Sequence, residues 1–426
     1  MKHVLLSSAI VLIAVGSLQA EENNLATGTE LNLLSSTDWP WWRGPHRNGL
    51  AAGDQRPPLR WSDTENVVWK TSVPGCGHGS PTVVGDQVFL ATADHARELQ
   101  SVICYDRTSG DNLWETPVHH GGLETPRLNQ KASQASSTVA CDGERVFINF
   151  FNDGAVYTTA LTRDGKQLWQ KKVSNYVVHQ GYASSPCIYE SLVIVSADNK
   201  SGGAVVAFDR LSGDEVWRRR RPKLPNYASP IVLNASGRDQ LVFIGCDLVS
   251  SLDPLTGDSN WEIAGATTEC VTSTVTDGEL VITSGGYPKN HVAAVRADGS
   301  GEVVWEKPDR VYVPSMLVRD GYLFGVHDNG VAFCWEFATG ARVWRGRLRG
   351  TFSASPVLVG DHLFATNESG QTFVCKANLE GFEIVAENRL GDHVMATPTY
   401  CGSRVYMRVA EHVEGRRQEM LFCLGE

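Results

Sequence analysis

Residues 207–217 read AFDRLSGDEVW, and variants of this pattern recur along the chain. In most copies a short apolar run ends in an acidic or small residue, a Gly follows four positions later, and a Trp stands four positions after the Gly. Because Gly accepts positive φ, the pattern predicts a strand, a tight turn and a second strand that carries the Trp. The Gly and Trp pairs are Gly110/Trp114, Gly165/Trp169, Gly213/Trp217, Gly257/Trp261, Gly301/Trp305 and Gly340/Trp344.

The spacing of these Trp residues predicts a repeat architecture. Together with Trp69 they lie 39–55 residues apart, a period typical of propeller blades or solenoid repeats. Upstream in several units a further strand begins with Ser-Pro or Thr-Pro. Proline has no N–H, so it favours an edge strand such as the innermost strand of a propeller blade. The dipeptides are Ser80-Pro81, Ser185-Pro186, Ser229-Pro230, Ser355-Pro356 and Thr397-Pro398.

Four strands per repeat with no helical period predict an all-β fold, an eight-bladed β-propeller of four-stranded antiparallel blades. The last unit stops one strand short, whereas residues 66–70 read as a fourth strand with no partner before it. We therefore expect this N-terminal strand to close the last blade and cover two exposed edges. A seven-bladed ring with one unit as an insertion is the alternative. The units span residues 79–118, 135–173, 182–221, 227–265, 271–309, 313–348, 353–391 and 395–426.

The 207–217 pattern resembles the repeat of the PQQ-like (quinoprotein-type) β-propeller family, named after pyrroloquinoline quinone (PQQ), and the resemblance covers residues 65–426. Residues 39–49, WPWWRGPHRNG, resemble the leader of secreted members from planctomycete-type bacteria. The family includes PQQ dehydrogenases and the propeller lipoprotein of the outer-membrane assembly machine. The resemblance implies that each blade's Trp docks against the neighbouring blade. The implied docking residues are Trp69, Trp114, Trp169, Trp217, Trp261, Trp305 and Trp344.

The N-terminus has the layout of a secretory signal. Lys2 precedes an apolar run that ends near Leu18, and Ala20 precedes two acidic residues. We expect a signal peptide over residues 1–20, a flexible linker over 21–38 and one propeller domain with an N-terminal extension over 39–426. The protein would then be exported, periplasmic or extracellular, with no membrane span after cleavage; an uncleaved anchor is the alternative. A net charge of −10 argues against a nucleic-acid partner.

Ten Cys in an exported chain first indicate disulfides. The repeat argues otherwise for four of them, Cys104, Cys334, Cys375 and Cys423, which occupy one equivalent slot. Other units place small residues there: Thr159, Ala207, Ser251 and Val295. Strand spacing puts such slots about 12 Å apart in adjacent blades, beyond the roughly 7 Å limit of a disulfide. We expect buried thiols beneath the Trp, while Cys76 and a Cys246–Cys270 bridge stay open.

Functional groups are expected on the loops at one face of the ring. The binding-face candidates are His78, Arg127, His179, Tyr182, Tyr227, Asp247, Glu269, His327, Asn329 and His393. The alternative is that a wide polar mouth simply carries such residues. The chain has no HExxH, nucleotide-binding or Walker motif, so no catalytic residue is assigned. PQQ enzymes use adjacent cysteines and a calcium ion, and the chain has neither an adjacent Cys pair nor an acidic cluster.

These features favour an exported, non-catalytic binding or scaffolding module, a monomer that takes a protein or small-molecule ligand at one face. No metal and no cofactor are expected, with PQQ and calcium as the alternative. The rival functions are a periplasmic quinoprotein-type oxidoreductase and an outer-membrane assembly partner.

Overall fold

The computed structural model describes residues 34–123 and 128–426. The predicted signal peptide and residues 21–33 of the predicted linker lie outside the described residues. Within the described ranges, 32 strands form eight four-stranded antiparallel sheets, which are the blades of an eight-bladed β-propeller. The predicted fold class is therefore confirmed, and the seven-bladed alternative is wrong.

The first strand of the chain, β1 (Val67–Val73), belongs to the last blade. Blade 1 comprises β2 (Thr82–Val84), β3 (Gln87–Asp94), β4 (Leu99–Asp106) and β5 (Asn112–His120). Blade 2 comprises β6 (Ala140–Cys141), β7 (Arg145–Asn152), β8 (Ala155–Thr162) and β9 (Gln167–Asn175). Blade 3 comprises β10 (Cys187–Tyr189), β11 (Leu192–Ser196), β12 (Ala204–Asp209) and β13 (Glu215–Arg220). Blade 4 comprises β14 (Ile231–Ala235), β15 (Arg238–Gly245), β16 (Leu248–Leu252) and β17 (Ser259–Ala264).

The second half of the ring follows the same order. Blade 5 comprises β18 (Val275–Thr276), β19 (Leu280–Gly285), β20 (His291–Arg296) and β21 (Val303–Lys307). Blade 6 comprises β22 (Leu317–Arg319), β23 (Tyr322–Val326), β24 (Val331–Glu336) and β25 (Arg342–Arg347). Blade 7 comprises β26 (Val357–Val359), β27 (His362–Thr366), β28 (Gln371–Lys376) and β29 (Ile384–Arg389). Blade 8 comprises β30 (Thr399–Cys401), β31 (Arg404–Val413), β32 (Arg416–Leu424) and β1.

The ring closes as the sequence predicts. Strand β1 pairs antiparallel with β32, with Trp69 opposite Cys423 and Lys70 opposite Phe422. Each of the two incomplete units supplies the edge that the other lacks, so neither edge is left to pair with another chain.

The repeated Trp residues join neighbouring blades. Each donates its indole N–H to a backbone carbonyl oxygen of the next blade at 2.8–3.3 Å. The accepting residues are Arg107, Arg163, Arg210, Pro254, Ala297, Phe337 and Asn378. The turn glycines have positive φ, as predicted, and five of them lie so close to the preceding blade's Trp ring that a Cβ would come within 2.5–2.8 Å. These five are Gly110, Gly165, Gly213, Gly257 and Gly340.

Blade 7 has no Trp in its fourth strand. Ala386 stands at that position, opposite Val374. Trp61 from the N-terminal extension lies in the same apolar cluster as Ala386 and stacks on Phe364 with ring centroids 6.3 Å apart. The extension therefore supplies an indole between blades 7 and 8, where the repeat lacks one.

The predicted position for a small side chain lies on the third strand of each blade, paired with the Trp of the fourth strand. Cys104, Ala207, Ser251, Cys334 and Cys423 occupy it as predicted. The expectation is off by one residue in three blades, where the slot holds Ala160, Ala294 and Val374 instead of Thr159, Val295 and Cys375. The turns between the third and fourth strands differ in length, and a shift of one residue moves the opposite position.

The cysteines are thiols rather than disulfides. All ten are free, including Cys246 and Cys270, the pair whose bridge the sequence left open. Cys76 is half-buried and the other nine are buried. Burial raises the pKa of Cys104 to about 12, as expected for an inert thiol that fills space.

Residues 39–51 form an N-terminal plug that crosses one end of the channel. Trp39 pairs through its backbone with Val83 of blade 1, and Leu358 of blade 7 donates its N–H to the Gly49 carbonyl oxygen at 3.0 Å. Between these ends the Arg43 guanidinium donates to the Met316 carbonyl oxygen of blade 6. The plug thus ties the innermost strands of distant blades together and closes the channel at that end.

Candidate functional site: the channel cavity

A cavity of about 400 Å³ lies on the ring axis. Residues that precede the innermost strand of every blade line it, which places it at the centre of the ring. These residues are His78, Thr138, Ser185, Ser229, Val271, Val313, Ser355 and Thr397. Trp42 of the plug also lines the cavity and donates its indole N–H to the Ser273 Oγ at 2.8 Å. We call Trp42 the floor, because the plug contacts the far ends of the innermost strands.

A ring of hydroxyl side chains surrounds the axis, one from each blade, and we call it the hydroxyl girdle. Its members are Ser80, Thr138, Ser185, Ser229, Ser273, Ser315, Ser355 and Thr397, and all are buried. Six of them accept a backbone N–H from the girdle residue of the preceding blade at 2.9–3.0 Å. The Ser-Pro and Thr-Pro signals of the sequence thus mark both the edge strand, as predicted, and a set of blade-to-blade hydrogen bonds.

Two phenols on one wall of the cavity are backed by an imidazole and a carboxylate that lie behind the lining. The His179 Nδ1 lies 3.0 Å from the Tyr227 hydroxyl and 3.4 Å from the Glu269 Oε1. The Tyr312 hydroxyl donates to the other Glu269 oxygen at 3.2 Å. Burial raises the pKa of Tyr227, and the negative charge of Glu269 adds to that effect. Both phenols therefore stay protonated and act as hydrogen-bond donors at neutral pH.

A second polar cluster flanks His78. Its ring lies 6.3 Å from the His393 ring, and the His393 Nδ1 is 3.0 Å from the Arg417 Nη1. Burial lowers the pKa of His78 to about 4, so this imidazole is neutral at physiological pH. Arg417 in turn donates to the buried Glu419 carboxylate at 2.6 Å. Sequence reasoning did not find Arg417 or Glu419, because both lie on the last hairpin, far from His78 in sequence.

Residues 128–136 form a strap across the mouth of the cavity. Asn129 donates its side-chain amide to the Gln180 Oε1 at 2.7 Å, beside blade 3. Lys131 reaches the Glu368 carboxylate of blade 7 at 2.6 Å. Blades 3 and 7 face each other across an eight-bladed ring, so the strap spans the opening. The sequence gave no signal for this contact between residues 237 positions apart.

The binding-face candidates divide into those at the cavity and those outside it. His78, Tyr182 and Tyr227 line the cavity, and His179, Glu269 and His393 support its walls. His327 is buried 3.7 Å from Asp309, while Asp247 and Asn329 are exposed away from the lining. Arg127 lies outside the described residues. The lining residues that sequence reasoning missed include Trp42, Asn129, Lys131, Gln180, Arg310, Tyr312 and Asp328.

Comparison with known proteins shows that the chain is a PQQ-like β-propeller. The family profile described as "Outer membrane protein assembly factor BamB" matches residues 44–115, 98–346 and 288–381, more than half of the sequence. The chain belongs to this family. The outer membrane protein assembly factor BamB of Burkholderia pseudomallei (strain K96243) is 27% identical over 362 residues, covering 79% of this chain and 86% of that protein.

Quinoprotein enzymes are also related. A polyvinylalcohol dehydrogenase of Sphingopyxis sp. (strain 113P3) is 24% identical over 226 residues, which cover 49% of this chain and 32% of the enzyme. A solved structure titled "Europium-containing methanol dehydrogenase" superposes with a TM-score of 0.65 at 12% identity, covering 92% of this chain and 98% of that chain. At this identity the superposition supports the shared fold alone.

The lining of the cavity is poor in carboxylates, the charged oxygen ligands of a calcium site. Across residues 34–123 and 128–426, no group of three His, Cys, Asp or Glu side chains could hold a metal ion. Asp328, the one carboxylate that lines the cavity in this part of the chain, accepts the Tyr312 N–H at 3.0 Å. Calcium prefers six to eight oxygen ligands, and apart from Asp328 the described lining offers only uncharged side-chain oxygens. In the same ranges, no helix is long and apolar enough to span a bilayer.

Proposed function

We propose that this protein is exported and acts as a non-catalytic binding protein whose ligand occupies the channel cavity. The observation that carries the proposal is the cavity itself, to which all eight blades and the plug contribute. Its volume of about 400 Å³ lies within the range of small-molecule sites, about 300–1,000 Å³. Aromatic side chains and hydroxyl and amide groups both line it, as in sites that orient one ligand.

A filled-cavity variant tests this proposal. Ala183 lines the cavity and is half-buried, so Ala183→Trp would occupy the site without displacing the core. Ala341 lies on an exposed turn, and Ala341→Trp is the matched control. We would screen a metabolite library by thermal unfolding, because a ligand at a hundred times its Kd stabilises a protein by about 2.7 kcal/mol. Compounds that stabilise the wild type and Ala341→Trp but not Ala183→Trp would support the proposal. No stabilising compound, or equal stabilisation of both variants, would overturn it.

Export is part of the proposal and has its own test. We expect the mature protein to begin at Glu21, after cleavage behind Ala20. Sequencing of the N-terminus from the secreted or envelope fraction would show Glu21 first. Recovery of a full-length chain from the cytosol would contradict this part.

A second candidate function is assembly of outer-membrane proteins, which the family description and the last hairpin favour. Strands β31 and β32 have ten and nine residues, and the exposed tip between them carries Val413 at 50% exposure. Deletion of residues 412–416 should abolish co-purification of outer-membrane assembly machinery from envelope extracts. Recovery of none of this machinery with the intact chain would count against the second function.

Cofactor binding distinguishes the proposed function from that of a quinoprotein-type oxidoreductase. Titration with PQQ and calcium would give sub-micromolar binding and a quinone absorbance change if the protein were such an enzyme. We expect neither, because Asp328 is the one carboxylate among the described residues that line the cavity.

A further inference from the structure

The outermost strand of blade 6, β25, forms an open edge of its sheet. It stands last in the strand order of that blade, and no further strand from residues 34–123 and 128–426 pairs with it. Leu348, which follows β25, donates its backbone N–H inward to the Gly330 carbonyl oxygen at 2.8 Å. Because the backbone groups of successive residues point to opposite sides of a strand, those of Arg345 and Arg347 point away from the blade. Such an edge can pair with one more strand.

Both residues with outward backbone groups carry a positive charge. Arg345 stands opposite Phe333, whose ring packs toward blade 5, so its guanidinium lies on the blade 5 side. Residues two apart on a strand share a face and lie about 7 Å apart, which places Arg347 on the same side. Lys307 of blade 5 adds a third cation there, with its Nζ 5.2 Å from the Trp335 ring. We call Arg345, Arg347 and Lys307 the basic strip; it stands out in a chain whose net charge is −10.

Acidic side chains near the basic strip do not neutralise it. In the described part of the chain, neither Arg345 nor Arg347 takes part in an ion pair. Asp309 lies 3.7 Å from the His327 Nε2. Glu306 is on β21, one residue before the lysine of the strip, so its side chain points to the other face of that strand. The two arginines can therefore meet an added negative group.

The same two outward positions differ in the other blades. In four of them the residue after the docking Trp, or after its replacement in blade 7, is acidic: Glu115, Glu262, Glu306 and Glu387. Blade 3 has arginines at both positions, but Arg218 already pairs with Glu215 at 2.5 Å. Among the described outer strands, β25 is thus the one with both outward positions basic and unpaired.

The opposite face of β25 is apolar. Gly346 lies between the two arginines, and a Cβ there would clash with the Phe382 ring, which rests directly on the strand. Phe382 is half-buried, with its ring centroid 5.6 Å from that of Trp344. A side chain opposite Gly346 on an added strand would point to this face and contact Phe382.

We propose that β25 is a docking site for an extended acidic segment of a partner protein, which adds to blade 6 as a fifth, antiparallel strand. Two carboxylates at alternate positions pair with Arg345 and Arg347, and an apolar residue between them contacts Phe382. Main-chain hydrogen bonds give such a complex its affinity, and the alternate side chains give it specificity. Arginine suits this role because its guanidinium binds a carboxylate through two parallel hydrogen bonds. The docking site lies on the rim of the ring, so the inference goes beyond the proposed function and does not depend on the channel cavity.

Three peptides of one length test the charge and the strand pairing separately. The first is acetyl-Ser-Thr-Glu-Val-Glu-Thr-Ser-amide. The second replaces both Glu with Gln, and the third keeps both Glu but carries a methyl group on their backbone nitrogens. By isothermal titration of the full chain at low ionic strength, we expect the first to bind with a Kd below about 1 mM and the other two at least about tenfold more weakly. Added salt should weaken the first complex, because exposed charges are screened.

Two double variants of equal charge provide the matched control. Arg345→Gln/Arg347→Gln removes both cations of β25, and we expect it to weaken binding of the acidic peptide at least about tenfold. Lys166→Gln/Arg238→Gln removes two cations that are exposed in blades 2 and 4, and it should stay within about twofold of the wild type. Arg345→Glu/Arg347→Glu should instead bind a peptide with Lys in place of both Glu, which the wild type should not bind.

The contrary outcomes are equally specific. No binding of the acidic peptide, or equal binding of the Gln peptide, would overturn the inference, since the arginines would then only keep other strands away. Equal binding of the methylated peptide would show that no strand is added. Binding of phosphatidylglycerol vesicles in place of the peptide, or dimers in sedimentation that Arg345→Gln/Arg347→Gln abolishes, would assign the edge to a lipid surface or a second copy and overturn the inference. None of these results bears on the cavity, which Ala183→Trp tests.

Discussion

Trp217 of blade 3 donates its indole N–H to the carbonyl oxygen of Pro254 in blade 4 at 3.0 Å. The same ring packs in one apolar cluster with Leu241, Phe243 and Leu252 of blade 4. One side chain therefore combines a directional bond to the next blade's turn with the packing of that blade's core.

We predict that Trp217→Ala destabilises the protein by about 3–5 kcal/mol, because it leaves a cavity between two blades and an unmet carbonyl. Chemical denaturation followed by circular dichroism would measure the loss. Val216→Ala is the control, since Val216 is 41% exposed on the same strand and should change stability by less than about 0.5 kcal/mol. A cost below about 1 kcal/mol for Trp217→Ala would mean that the Trp contributes little to blade packing.

Alanine variants of Gly257 and Gly237 distinguish the cost of backbone strain from the cost of a steric clash. It has φ +72°, and a Cβ there would lie 2.6 Å from the Trp217 ring. Gly237 has φ +74° but nothing within 4 Å of such a Cβ. Gly237→Ala should cost about 1 kcal/mol from the left-handed backbone alone, and Gly257→Ala should cost at least about 1–3 kcal/mol more. Equal destabilisation of the two variants, measured by denaturant titration, would show that the Trp217 indole moves aside at no measurable cost.

The repeat was readable because its signals are local. Gly257 and Trp261 stand four residues apart in one turn, so their spacing reports a single hairpin. The closure by β1 was also readable, since Trp69 begins the chain's pattern without the strands that should precede it. The register of the slot was harder, because Trp169 follows a turn of a different length and its partner is Ala160.

Most of the cavity could not be read in this way. Lys131, between blades 1 and 2, meets Glu368 of blade 7 only because the strap crosses the mouth of the cavity. Ser315 belongs to the girdle without a following Pro, so no local signal marks it. Trp42 stands in a segment that carries no repeat, and its role as the floor depends on the plug crossing the channel.

The indole of Trp61 replaces the Trp that blade 7 lacks, so removing it should lower the free energy of unfolding. Trp61 is 3% exposed, and Asn388 accepts its backbone N–H at 3.0 Å. We predict a cost of about 3–5 kcal/mol for Trp61→Ala. Leu59→Ala, at a residue with 37% exposure two positions earlier, is the control. An unchanged unfolding midpoint for Trp61→Ala would show that the extension is not part of the folded core.

Two half-buried imidazoles should make the protein less stable in mild acid. Burial lowers the pKa of His78 and of His119 to about 4, whereas an unfolded histidine titrates near 6.5. Between these values the unfolded state binds more protons, so the free energy of unfolding falls as the pH falls from about 6.5 to 4 and is fully regained above 6.5. His78→Gln should flatten this dependence, and His46→Gln, at an exposed position, should not. A pH profile identical for wild type and His78→Gln would contradict the prediction.

The seam between blades 8 and 1 contains a buried ion pair. The Arg408 Nε donates to the Glu419 carboxylate at 2.5 Å, and its Nη1 donates to the Ala91 carbonyl oxygen of blade 1 at 2.6 Å. Burial alone would raise the pKa of Glu419, but Arg408 and Arg417 outweigh it and hold the pKa below its ordinary value. We predict that Glu419→Gln costs about 3–5 kcal/mol, because it leaves the Arg408 charge buried without its partner.

The double variant Arg408→Met/Glu419→Gln tests the reason for that cost. It removes both charges, so it should be more stable than Glu419→Gln alone, although Arg408→Met also gives up the bond to Ala91. A double-mutant cycle by denaturant unfolding gives the coupling between the two side chains, and a value near zero would mean that the pair does not hold the seam. Lys376→Met is the surface control, since the Lys376–Glu383 pair is exposed, screened by solvent, and should leave the unfolding midpoint nearly unchanged.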